Sequence, residues 1–591
     1  MLRHLKQIQI YAPTRFYKHL GSANPAYHFK QTRVLCTLNE TNLFIKNPAE
    51  SLTCGNSRNY FPMCEPVNYQ NISNFTHRHA RYKPNEIAAV VDNEQLTWRQ
   101  FDENLCKIAA GLQKLGIKKD DKVASVLQNG WPILELYWAL PKIGAVFVPL
   151  SPLLNQDAIE TTLNVSHCKL VVVDDEIVAT KLLQSKTKIP TLQHVCAAKK
   201  LGAPTKIVDG SYDYHKLVAD NKPLAHSERV FVRGDDLCHI FFSSGTTGQP
   251  KGICLSHAVR LDYAHQHSLF YRVQWDSVIL HGGSMVFNGS MITMIPSFYH
   301  GCKFVMQTKY DPVEFMDLVE REGVTHCVLV PTQLVGLISS PKFDAGKLKT
   351  LKCVITVGAP LAVSHKRKFM KLLPGVLFEL YGTTEGCQIL MPPEMMEKKI
   401  DSVGAPPACT EIRIVDDQGN DVPTGTPGEI IGRGPLTFQG YYNEPGKTKE
   451  SFLPGWWFKT GDIGYFDDDG YVYLSDRKKD MLIVGGVNVF PKDIEQIVVQ
   501  YAGILECAIF GVPDEKWGEK VVAAITLKQG GGQFDAQKLI EWANGKVAKF
   551  QRIRDVIVLD EMPRNAGLKV LKRDLRDDYV KGLFKSATSK L

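Results

Sequence analysis

From about residue 66 onward the chain alternates short apolar runs with stretches of helical, amphipathic spacing, and this alternation limits the possible folds more than any other feature. Phe101 to Leu115 carries apolar side chains at helical spacing, Lys122 to Val126 reads as a strand, and Leu170 to Val173 reads as a buried strand stopping at Asp174-Asp175. Further strand candidates follow at His239 to Phe242, Lys303 to Met306, Cys327 to Val330 and Cys353 to Val357, each beside a helix-like segment. Strands separated by helices are covered on both faces, which predicts an α/β fold with largely parallel sheets. After about Asp401 the pattern changes to short alternating strands between turn signals. Ile412 to Val415 precedes Asp417-Gln418-Gly419-Asn420, and Tyr465-Phe466 precedes Asp467-Asp468-Asp469-Gly470, the latter a hairpin, so a β-rich subdomain is expected there. The charged run Asp476-Arg477-Lys478-Lys479-Asp480 then opens a last section with its own strand and helix pattern. The expected division is an N-terminal extension over 1–65, a large domain over 66–475 and a small C-terminal α+β domain over 476–591.

Composition narrows the function classes. Of 591 residues, 44% are hydrophobic and 22% charged, the balance of a soluble globular protein, and a net charge of +8 is small for this length. Basic residues are dispersed, so no nucleic-acid surface is indicated. The most apolar segment, Trp131 to Leu154, is broken by Glu135, Lys142 and four prolines, and reads as a buried helix followed by a strand, with no membrane span. Fourteen cysteines without one C-x-x-C argue for a reducing compartment and against a zinc or disulfide framework. Both ends carry possible addresses. Residues 1–39 hold six Lys or Arg and no Asp or Glu, the bias of a mitochondrial transit segment. Ser589-Lys590-Leu591 is a terminal S-K-L, the tripeptide read by the peroxisomal import receptor. Because that motif counts only at the terminus, and is there, a peroxisome is the expected location and the mitochondrion the alternative.

The segment Ser243-Ser244-Gly245-Thr246-Thr247-Gly248-Gln249-Pro250-Lys251-Gly252 follows a strand candidate. Its glycines and hydroxyls suit a nest of N–H groups around an anion, although its order fails the G-x-x-x-x-G-K-[ST] pattern and an ordinary Gly-rich turn would read the same alone. Tyr381-Gly382-Thr383-Thr384-Glu385-Gly386 sets an aromatic face, hydroxyls and a carboxylate within five residues at a strand end, enough to stack a base, bond a phosphate and hold Mg²⁺. Asp462 in Thr460-Gly461-Asp462 is either a turn residue or an acceptor for a ribose diol. Arg477, and Lys569 in the loop Pro563 to Lys569, are unremarked surface charges in isolation.

Taken together and in this order, these five features resemble the adenylate-forming superfamily of acyl-CoA synthetases, 4-coumarate-CoA ligases and beetle luciferases, over roughly Asn68 to Arg576. Gly358-Ala359-Pro360, Ser402-Val403-Gly404, Gly440-Tyr441-Tyr442 and Gly485-Gly486-Val487-Asn488 add to the likeness. The resemblance implies an acid–thiol ligase: a carboxylate, a fatty acid foremost, attacks the α-phosphate of ATP and releases pyrophosphate, and CoA then takes the acyl group from AMP. By the same resemblance Ser243, Ser244, Gly245, Thr246, Thr247, Gly248 and Lys251 hold the leaving phosphates. Gly358, Ala359, Pro360, Tyr381, Gly382 and Thr383 enclose the adenine, Asp462 and Arg477 hold the ribose, Thr384 lies near the α-phosphate, and Glu385 binds Mg²⁺. Lys569 meets the reacting carboxylate and α-phosphate, where a compact cation stabilises gathering negative charge. Lys479 is the hinge of a mobile C-terminal domain, and Gly485-Gly486 helps position CoA.

Two departures from the family stand out. Leu568, not Gly, precedes Lys569, which implies a modest change of loop geometry. Met285 to Gly289 lacks the family's His near the carboxylate. Phe287, Asn288, Gly289 and Gly386 are expected at the acyl pocket, and the apolar residues from Met285 to Met294 either line it or fill the core. An aryl-CoA ligase and a luciferase-like oxygenase are the alternatives to a fatty-acid ligase.

Overall fold

The computed structural model describes residues 71–198, 207–225, 228–243, 250–477, 480–528, 534–564 and 570–584, with only the backbone described at 476, 477 and 488. The extension 1–65, Ser244 to Gly248, Lys479, Lys569 and the terminal S-K-L lie outside these residues.

The predicted α/β alternation becomes two eight-stranded sheets. In the first, Tyr212–Asp213, His194–Ala197, Cys168–Val173, Lys122–Val126, Val146–Leu150 and Leu237–Ser243 run parallel. Lys251–Ser256 and Gly440–Tyr441 then add an antiparallel edge. In the second sheet, Leu377–Gly382, Cys353–Val357, His326–Leu329, Val278–His281, Lys303–Met306 and Ile87–Val91 are parallel, with antiparallel strands Gln388–Met391 and Glu94–Thr97 at the two edges. Parallel strands bury both faces, which is why Val171, Val172, Ile279, Leu280, Val354 and Ile355 form nearly continuous apolar runs.

Local chemistry moves several boundaries from their expected places. The helix expected over 101–115 runs Trp98–Lys114, because Thr97 caps it: Thr97 Oγ1 accepts from the Gln100 N–H at 3.3 Å and Gln100 Oε1 accepts from the Thr97 N–H at 2.9 Å. The strand expected to end at Val330 ends at Leu329, since Pro331 opens a helix and holds Val330 extended before it. The segment from Trp131 forms the helix Trp131–Ala139, a 3₁₀ turn Leu140–Ile143 and the strand Val146–Leu150. Its two charges are not stray: Lys142, 0% exposed, lies 2.6 Å from Asp102, and Glu135 accepts from the Tyr214 hydroxyl at 3.0 Å.

Residues 411–477 build the β-rich subdomain, in which the short expected hairpin is a long one pairing Trp457–Phe466 with Val472–Arg477. The described residues hold together as one unit. Within it, 482–584 have a separate five-stranded sheet and core of their own, with Ile553–Val558 parallel and the other pairs antiparallel. Lys492 on the helix Pro491–Val498 bridges to the subdomain, donating to the Leu474 carbonyl at 2.9 Å. Among the described residues no helix is long and apolar enough to cross a membrane.

Candidate functional site

The parallel strand Leu377–Gly382 delivers Tyr381 to the C-terminal rim of the second sheet, where open α/β sheets bind ligands. Tyr381 donates to Asp462 Oδ2 at 2.7 Å. Burial, with the Asp462 carboxylate beside it, pushes the phenol well above its ordinary range, so it stays a donor at neutral pH. The hairpin register sets Asp462 directly opposite Arg477. Tyr381, Asp462 and the Arg477 backbone, expected together from the resemblance, are therefore brought together by one hydrogen bond and one strand pair. Gly358, at φ +95, follows Cys353–Val357, the strand beside Leu377–Gly382, so the 358–360 turn comes to the same rim.

Past Tyr381 the backbone makes a tight turn, with the Thr383 N–H on the Cys387 carbonyl at 3.0 Å and the Gly386 N–H on the Thr383 carbonyl at 3.2 Å. Thr384 and Glu385 lie on this turn, and Thr383 Oγ1 is buried without a hydrogen-bond partner among the described residues. Gly386, assigned to the acyl pocket, is packed against backbone: at φ +112, a Cβ there would lie 2.0 Å from the Leu436 carbonyl oxygen. Glycine is required because the 436–438 segment crosses at contact distance, with the Phe438 N–H on the Glu385 carbonyl at 2.8 Å.

The loop expected to hold phosphate lies outside the described residues, but its two ends do not. Ser243 and Lys251 are register partners in the antiparallel pair Leu237–Ser243 and Lys251–Ser256, so the loop leaves and re-enters at one point. Beside this point stands Tyr441, which sequence reasoning gave no role. Its hydroxyl donates to Glu385 Oε1 at 3.0 Å and Lys251 Nζ lies 5.3 Å from its ring. The strand Gly440–Tyr441, paired to Ile253 and Cys254, places it there. The Gly440-Tyr441-Tyr442 match marked the segment, but no local signal connects it to Glu385.

The single carboxylate of Glu385 suits Mg²⁺ carried in on phosphates, a cation that takes one or two protein carboxylates and completes its shell with phosphate and water. Among the described residues no group of three or more His, Cys, Asp or Glu side chains is arranged to hold a metal alone.

At the expected acyl pocket, Phe287, Asn288 and Gly289 are half-buried, whereas Met285, Met291 and Met294 are packed in the core. Asn288 is tied into a buried polar network: its Nδ2 donates to the Tyr263 hydroxyl at 2.8 Å and its Oδ1 accepts from Arg260 Nη1 at 2.8 Å. In the C-terminal section, Gly485 and Gly486 form the turn of a hairpin at φ +61 and +81. Trp517 lies against it, its carbonyl accepting from the Gly485 N–H at 2.7 Å.

The sequence matches the family model "AMP-binding enzyme" over residues 76–442 and "AMP-binding enzyme C-terminal domain" over 493–569. It is 28% identical to a feruloyl-CoA synthase of Streptomyces sp over 86% of this chain and 99% of the relative. It is 29% identical to the long-chain-fatty-acid–CoA ligase FadD13 of Mycobacterium tuberculosis over 82% and 93%. Among solved structures it resembles ATP-bound MatB from Rhodopseudomonas palustris at TM-score 0.78 and 26% identity, over 87% of this chain and 100% of that one.

Proposed function

The chain belongs to the AMP-binding enzyme family and is an ATP-dependent CoA ligase, and from that premise we propose that it joins CoA to an acid with an apolar body, a fatty acid first and an aryl acid second. One carboxylate oxygen attacks the α-phosphorus of ATP, the bond to the β-phosphate breaks, and an acyl-adenylate forms; the CoA sulfur then attacks the acyl carbon and AMP leaves. The observation that carries this reading is the convergence of two clusters on one short turn. Tyr381 with Asp462 stands on the nucleoside side, and Glu385 with Tyr441 and Lys251 on the phosphate side, four residues away. A bound Mg²⁺ on Glu385 would neutralise phosphate charge. Lys251 and the hydroxyls of 243–247 cradle the pyrophosphate, while Lys569 stabilises the charge gathering at the α-phosphate. Lys479 is the hinge that exchanges Lys569 for the Gly485-Gly486 turn before thiolysis.

The relatives support both acyl readings, one named for a long-chain fatty acid and the other for feruloyl-CoA. A peroxisomal location, proposed from Ser589-Lys590-Leu591 and its receptor, suits the first. The test is acid-dependent ATP–pyrophosphate exchange over a panel of fatty and aryl acids. Lys569→Ala is expected to lower exchange by roughly 100- to 1,000-fold, and Lys479→Pro to retain exchange while losing thioester formation. Wild-type protein inert with every acid would overturn the ligase reading.

A further inference from the structure

Helix His257–Tyr271, capped by Ser256, turns Arg260, Tyr263, His267 and Tyr271 into the core, a polar stripe where apolar side chains belong. Arg260 is 0% exposed. Its Nε donates to His239 Nδ1 at 2.8 Å, its Nη1 to Asn288 Oδ1 at 2.8 Å, and its guanidinium lies 5.3 Å from the Phe241 ring and 5.1 Å from the Tyr263 ring. Its Nη2 is buried without a hydrogen-bond partner, and among the described residues no carboxylate lies within ion-pair distance of it.

The titratable groups around it cannot balance the charge. Burial, then Arg260 itself, holds His239 well below its ordinary range, and burial pushes the Cys238 thiol up to about 12 and lowers His257 to about 3. Burial also raises the Tyr137 phenol above its ordinary range, so it carries no charge at physiological pH. Burial lowers the Arg260 guanidinium from its ordinary range, but arginine stays protonated in proteins, so it is a cation in the core held only by neutral acceptors and aromatic faces. A buried charge is costly unless an anion completes it, and guanidinium presents parallel N–H groups that fit a carboxylate bidentately.

Where Arg260 sits identifies the anion. Asn288, the neutral acceptor on Nη1, is the residue expected in the acyl-pocket wall, and Tyr263 links it to Gln388, whose Nε2 lies 3.4 Å from the same hydroxyl, two residues after Gly386. Resting on the ligase reading above, we propose that Arg260 receives a second, non-reacting carboxylate on the far end of the substrate. Asn288 stands in for that carboxylate in the free enzyme and yields Nη1 to it, and Tyr263 and Phe287 flank the apolar body of the acid. The substrate class is a dicarboxylic acid with an apolar body between its two carboxylates.

The experiment compares octanoate with its α,ω-dicarboxylate of equal length, and cinnamate with its para-carboxy derivative, in ATP–pyrophosphate exchange. The wild-type protein is expected to prefer the dicarboxylates by about 10- to 100-fold in kcat/KM. Arg260→Gln brings that ratio near one. Asn288→Asp does the same by supplying the missing carboxylate from within, and it also raises the melting temperature because the buried cation is now paired. If Arg260→Gln does not fold, Asn288→Asp decides. Preference for the monoacids, or equal loss on mono- and dicarboxylates in the variants, overturns the proposal and leaves the ligase reading intact. No exchange with any acid overturns both.

Discussion

Tyr441 offers a sharp test of the site, because its hydroxyl and its ring serve different neighbours. Tyr441→Phe removes the 3.0 Å hydrogen bond to Glu385 but keeps the ring beside which Lys251 Nζ lies at 5.3 Å. A hydrogen bond to an ionised acceptor contributes about 1.5 to 3 kcal/mol, which corresponds to roughly 10- to 150-fold in an equilibrium or rate. If that bond orients the carboxylate that holds Mg·ATP, kcat/KM for ATP in pyrophosphate exchange falls by that factor, and Mg·ATP gives a smaller thermal stabilisation. Tyr441→Ala adds the loss of the ring, about 0.5 to 1 kcal/mol more. Glu385→Ala completes a double-mutant cycle: the variant carrying both Tyr441→Phe and Glu385→Ala is expected to be little worse than Glu385→Ala alone, since both changes break one interaction. Additive losses when the two changes are combined, or a Tyr441→Phe enzyme within twofold of wild type, would refute the claim that Tyr441 acts through Glu385.

Two predictions concern buried charge elsewhere in the large domain. Asp102 accepts from Thr76 Oγ1 and Lys142 Nζ, each at 2.6 Å. Burial opposes its ionisation, but Lys142 and these hydrogen bonds outweigh burial and hold the carboxyl well below its ordinary range. A depressed carboxyl contributes stability above its unfolded value that is lost as pH falls below about 4, and Asp102→Asn, which strands Lys142 at 0% exposure, should cost about 3 to 5 kcal/mol in urea unfolding at neutral pH. Glu135 has the opposite sign, since burial raises its carboxyl from 4.5 to about 7 despite the Tyr214 and Asn104 hydrogen bonds. The native state holds that proton longer than the unfolded chain, so stability falls as pH rises from about 4.5 to 7, by up to about 3 kcal/mol. Glu135→Gln should remove this slope, read as urea midpoints that converge at pH 5 and favour the variant at pH 8.

The grouping of Tyr381, Glu385, Asp462 and Arg477 was legible because its parts are local. Tyr381 through Glu385 is one turn after one strand, and Asp462 and Arg477 are the two arms of one hairpin, so short motifs carry both the residues and their placement. The acyl side was not legible. Met285, Met291 and Met294, expected either to line the pocket or to fill the core, are buried in the core, and the buried polar stripe of Arg260, Tyr263 and His267 on the helix His257–Tyr271 breaks the usual apolar pattern.

By itself the sequence determined the alternation that makes two parallel sheets, the change to β-rich structure after Asp401, and the motifs that belong to adenylate chemistry, all of them properties of a few consecutive residues. Tertiary structure alone decided which distant groups meet: Tyr441 on Glu385, Lys142 on Asp102, Arg260 on His239 and Asn288. The physical reason is that hydrogen bonds and charge act over a few ångströms through space, and spacing along the chain records such contacts only where one turn or one strand pair makes them.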